Sequence, residues 1–270
     1  MNAFLKSDKK PTVKVIHLLR LELKHLEAFL ALMTIQDNFG AQPEMPESAD
    51  KLFHEAGKLR KYGLETKSIQ SISKHNRLLK PKLFLQQLRF YEKKSTKKLF
   101  KKRKAYPAFK TNDFVKHPAV RLLPETCKQF LAARALSILD LLNQDIISDI
   151  RRLHQLRKTL KSILYILPFC KKDVKPAWLF LKIRRKLMKS VESKIGSLHD
   201  TEFFVSWMNK KHELIESTEE PALKRIKREW QHDIKTMKKN LQPLLPAVKQ
   251  FALDLKDQSG DLVTAKMVSV

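Results

Sequence analysis

Two stretches of this 270-residue chain carry the same three basic side chains at the same spacing, His17-x-x-Arg20-x-x-x-Lys24 and His154-x-x-Arg157-x-x-x-Lys161. Intervals of three, four and seven residues bring side chains to one face of a helix. Each stretch therefore predicts a stripe of imidazole, guanidinium and ammonium, and the chemistry open to such a stripe is the capture of oxyanions. An arginine fork donates two parallel hydrogen bonds to phosphate oxygens, and lysine acts as a mobile point charge. Histidine adds donors, and charge as well when a bound anion raises its pKa. Lys10 and Lys14 widen the first stripe, and Arg151 and Arg152 widen the second. A separate run places Lys182, Arg185, Lys186 and Lys189 on one helical face, with Ile183, Leu187, Val191 and Ile195 as apolar companions.

Other chemistries leave no trace. There is no Gly-rich phosphate loop, no HExxH and no Gly-x-Ser-x-Gly elbow. The nine histidines are scattered, and none forms a close set with carboxylates, so neither a metal site nor a cofactor is expected. Phosphoryl transfer ordinarily needs carboxylates to hold Mg²⁺, whereas these stripes are basic, so the chain reads as a binder and not an enzyme. Lysine and arginine total 55 against 28 aspartates and glutamates, a formal charge of +27. A surplus that large costs stability by self-repulsion and points to a polyanionic partner: nucleic acid, an anionic membrane or a phosphate polymer. Cys127 and Cys170 are too few for a disulfide framework and read as free thiols, which suits a reducing cytosol. No 18-residue apolar stretch and no signal-peptide pattern is present, so a cytoplasmic protein without a membrane span is expected.

Positioning the stripes requires helices, and the apolar pattern supplies them. Ile16, Leu19, Leu23, Leu26, Leu30 and Met33 form one seam beside the first stripe, and Leu153, Leu156, Leu160, Ile163 and Leu167 another beside the second. Proline, serine and aspartate punctuation predicts helices at about 11–35, 47–75, 81–104 and 124–143, then 148–168, 176–209, 220–241 and 243–257. Ser148 is the expected N-cap of the fifth, and Glu219 and Glu220 suit the start of the seventh. A second pair of landmarks, Gly57-Lys58-Leu59-Arg60-Lys61 and Gly196-Ser197-Leu198-His199-Asp200, falls in the same order and at nearly the same distance from the histidine motifs. The expected fold is all-α: one helical bundle domain over 1–270 made of two pseudo-symmetric four-helix repeats, about 1–143 and 144–257, with 258–270 as a mobile tail.

The segment LHQLRKTLKSILY, followed some forty residues later by ESKIGSLHDTEFF, resembles the CHAD family, histidine-containing α-helical domains of two four-helix repeats that bind inorganic polyphosphate through basic helix surfaces. The resemblance implies non-catalytic polyphosphate binding in a groove between the repeats, and association with polyphosphate granules in the cytoplasm. Carried onto this sequence it points to His17, Arg20, Lys24, His154, Arg157, Lys158 and Lys161. The family's Gly-x-x-Arg-Asp element is incomplete in both halves, as Arg60-Lys61 and as His199-Asp200. The alternative is a nucleic-acid-binding helical protein that uses Lys93 to Lys104, where eight of twelve residues are cationic and none is acidic.

Overall fold

The computed structural model describes residues 12–36, 47–75, 81–104, 124–167, 175–210 and 219–260. The described residues are helical throughout apart from short turns: α1 (Val13–Gln36), α2 (Glu47–His75), α3 (Lys82–Lys104), α4 (Pro124–Leu142), α5 (Ile150–Ile166), α6 (Lys175–Lys210) and α7 (Glu220–Leu241). A 3-10 turn, Gln242–Leu244, then leads into α8 (Leu245–Gly260). Every expected helix has its counterpart. The segment 105–123 lies outside the described residues; of the expected tail at 258–270, residues 258–260 are the last of α8, with Ser259 buried, and 261–270 lie outside the described residues.

The chain forms two compact units, one from Met1–Leu26, Met45–Pro118 and Glu202–Asp233, the other from Glu27–Glu44, Ala119–Thr201 and Ile234–Val270. In the second unit the α5 seam behaves as its spacing predicts. Leu153, Leu156, Leu160 and Ile163 are fully buried against Phe130, Ile138, Val191, Ile195, Leu198 and Phe251, each such side chain contributing about 1.5–3 kcal/mol. In the first unit Ile16, Leu19 and Leu23 pack on Leu52, Ala56, Leu59 and Leu99. A neighbouring cluster joins Ile69, Phe84 and Leu88 to Phe204, Ile226 and Trp230, whose indole N–H donates to Ser68 Oγ at 3.1 Å. The α1 seam is less regular than expected. Leu26 is only half-buried, while Ala28 and Leu32, on another side of the helix, enter the second unit's core.

Three local expectations change. Asp149, not Ser148, caps α5, its carboxylate accepting from the amides of Arg151 at 2.8 Å and Arg152 at 3.4 Å. Ser148 is spent one step earlier, donating to the Asp145 carbonyl. Glu219 serves a different helix from the one it precedes: its two oxygens accept from the amides of Leu83 (2.8 Å) and Phe84 (3.0 Å) in the first turn of α3. Cys127 is disulfide-bonded and not the expected free thiol, and so gives no support for a reducing compartment; Cys170 lies outside the described residues. Among the described residues no helix is long and apolar enough to cross a membrane.

Candidate functional site

The second histidine motif meets α6 in an antiparallel zipper, residue 154 against 199 and residue 161 against 192. With their leucine seam in the core, His154, Arg157 and Lys161 are left at its edge, where α6 brings up Glu192, Gly196 and His199. The two imidazoles stack with centroids 4.5 Å apart and planes inclined by 25°. One turn on, Arg157 Nε donates to Glu192 Oε1 at 2.9 Å, and Lys161 Nζ lies 2.9 Å from the same oxygen. The three side chains keep only 15–20% of their exposure. Burial pushes the Glu192 carboxyl up, but Lys161 and Arg157 outweigh it and hold the group below its ordinary value. Gly196 leaves room for this approach: a Cβ there would stand 2.7 Å from Arg157 Nη2 and 3.0 Å from its Cζ and Nε, so the guanidinium would have to shift.

The first motif repeats that contact with one change. Arg20 lies over Gly57, where a Cβ would come within 2.7 Å of Nη1. Where Glu192 stands four residues before Gly196, Phe53 stands four before Gly57. Arg20 Nη1 donates to the Phe53 carbonyl at 2.9 Å, its guanidinium carbon sits 4.4 Å from the Phe53 ring centroid, and Lys24 Nζ sits 5.8 Å from it. The cations of the first unit thus rest on the negative face of an aromatic ring, and those of the second share a carboxylate.

The other expected residues are placed as follows. Lys14 and His17 are exposed and line a cavity of about 850 Å³. Arg151 is exposed in the first turn of α5, apart from the zipper, and Lys158 is exposed on the same helix. Lys182, Arg185, Lys186 and Lys189 are all exposed on α6, and helical spacing puts Arg185 and Lys189 on the side that carries Glu192. Arg184 points instead to Asp254 Oδ2, 3.6 Å away. In the incomplete Gly-x-x-Arg-Asp elements, His199 Nδ1 lies 3.7 Å from Asp200 Oδ1, while Lys61 Nζ lies 3.8 Å from the Phe203 ring centroid. Lys93, Lys94, Lys97, Lys98 and Lys101 form an exposed arc of α3.

Glu192 and Phe53 are the residues that the motif spacing did not reveal. The signal for Glu192 was its isolation, since it is the one carboxylate of α6 before Asp200. Comparison with protein-family models, with curated proteins and with solved structures gave no match for this chain.

Proposed function

We propose that this protein binds inorganic polyphosphate without acting on it, through cationic strips carried by α1 in one half and by α5 and α6 in the other, as the CHAD resemblance implies. The observation that carries the reading is the repeated nesting of an arginine on a glycine, Arg20 on Gly57 and Arg157 on Gly196, in a chain of formal charge +27. It supports the idea that the two halves descend from one duplicated unit whose arginine was positioned before any ligand arrived. A preorganised fork loses less freedom when phosphate binds, and a polymer without bases offers nothing to read except charge density. Lys158, Lys182, Arg185, Lys186 and Lys189 extend the strip of the second half with exposed ammonium and guanidinium groups.

A second reading has its own observation: the exposed lysine arc of α3 is a shape that suits phosphates along a duplex. Competition decides between them. With the full chain at physiological salt, long polyphosphate is expected to displace duplex DNA and RNA, and to bind far more tightly than pyrophosphate because it spans several clusters at once. Equal affinity for pyrophosphate and long chains, or preference for duplex, overturns the polyphosphate reading.

A further inference from the structure

The cavity beside Lys14 and His17 lies wholly within the first unit, between the start of α1, the middle of α2 and the middle of α3. Its volume of about 850 Å³ is that of a site for a small organic molecule. Two kinds of wall meet in it. The apolar side is aliphatic, formed by the buried Ile16 and Leu59 with Leu64. The polar side carries exposed Lys14, His17, Arg60 and Lys67, opposed by the single carboxylate of Glu92 among the described lining residues.

Gly63 shows that the space is kept open. It stands inside α2, far from either end, where glycine costs about 0.5–1 kcal/mol relative to alanine. Gly57 and Gly196 each have an arginine pressed against them, but a Cβ built on Gly63 meets nothing within 4 Å. Packing therefore does not demand glycine at this position; a side chain there would project into the cavity that Gly63 helps line.

We propose that this cavity binds a phosphate monoester of an aliphatic alcohol, the chain lying on Ile16, Leu59 and Leu64 and the phosphate held at the mouth by Lys14, Arg60 and Lys67. Three permanent cations and a histidine suit a dianion better than a monoanionic carboxylate, and the lining described has no Phe, Tyr or Trp on which a nucleobase would stack. The inference does not depend on polyphosphate binding.

Calorimetry with the full chain and octyl phosphate, kept below its micelle-forming concentration, tests it. Octyl phosphate is expected to bind at least tenfold more tightly than octanoate, octanol or inorganic phosphate. Parity with octanol reduces the site to a plain apolar cavity, parity with inorganic phosphate to a plain anion site, and parity with octanoate removes the phosphate assignment; each overturns the proposal. Gly63→Leu is expected to cut octyl phosphate affinity at least tenfold while leaving long-polyphosphate affinity unchanged. Lys67→Glu, at an exposed position that the fold tolerates, is expected to weaken octyl phosphate at least fivefold and to leave octanol unaffected. If Lys67→Glu binds octyl phosphate as wild type does, the proposal fails whether or not Gly63→Leu folds.

Discussion

Replacing Glu192 by glutamine separates a structural role for this carboxylate from its role as an internal counterion. In the folded protein one oxygen of Glu192 holds both Arg157 and Lys161 at 2.9 Å. A polyphosphate chain that uses these two cations must compete with that oxygen. Glutamine keeps the shape and one acceptor but removes the charge. Arg157 and Lys161 stay charged, so glutamine keeps a charge-assisted bond and loses only the ion-pair attraction, and the variant should lose about 1 kcal/mol of stability. Its affinity should move the other way. For a single-stranded polyanion each neutralised charge adds about 0.7 to the slope of log affinity against log salt, about fourfold in affinity at 0.15 M salt. If both cations are recruited, binding tightens roughly tenfold and the slope steepens by about 1.4. Calorimetric titration of long polyphosphate at four salt concentrations, beside a urea melt, measures both quantities. Weaker binding by Glu192→Gln with an unchanged slope would refute the reasoning, and would mean that Glu192 holds Arg157 in its binding geometry.

Glu65 offers a pH test, because it is buried with neither carboxylate oxygen hydrogen-bonded among the described residues, and burial raises its pKa to about 7 despite the opposing field of Lys61. Between the unfolded value near 4.5 and about 7 the folded chain holds a proton that the unfolded chain has lost, so stability falls as pH rises, by up to about 3 kcal/mol. Glu65→Gln should match wild type at pH 5 and exceed it at pH 8, and an advantage of equal size at both pH values in denaturant melts would contradict this. Glu192 has the opposite sign: its stabilisation is present at neutral pH and is lost as pH falls through its depressed pKa, which Glu192→Gln should abolish in an acid titration. The glycines form a contrasting pair in thermal melts, with Gly63→Ala raising stability by about 0.5–1 kcal/mol and Gly196→Ala lowering it by about 1 kcal/mol as the Arg157 guanidinium is driven off Glu192. Finally, removing Arg157, Lys158, Lys161 and Arg185 should cost more polyphosphate affinity than removing Lys93, Lys94, Lys97 and Lys98 at physiological salt; a larger loss from the second set favours the duplex reading.

The helices were legible in the sequence because each carries its own evidence, apolar residues at helical spacing between proline, serine and aspartate breaks. The ends shifted where neighbouring residues compete for one task. Ser148 and Asp149 can both cap α5, and the carboxylate takes the amides while the hydroxyl closes the preceding turn. The faces of the basic stripes were legible for the same local reason. What each stripe meets was not, because the choice of Phe53 or Glu192 as neighbour is made by packing between helices thirty or more residues apart. Leu26 was misplaced on similar grounds, since periodicity gives the direction of a side chain but not how much of the helix lies under cover. The glycines stood out as landmarks, yet only the arginines above them explain Gly57 and Gly196.

The Glu219 carboxylate at the start of α3 also bears on the order in which the molecule assembles. Its acceptors lie 136 and 135 residues beyond the amides of Leu83 and Phe84. At about 5–20 residues per second a ribosome takes roughly 7–27 s to reach Glu219 after completing this turn. Throughout that interval the first turn of the lysine-rich helix has water alone for these two donors. The first turn of this cationic helix therefore lacks its cap until Glu219 has been made, so α3 is the last of the first unit's early helices to be completed at its N-terminal end.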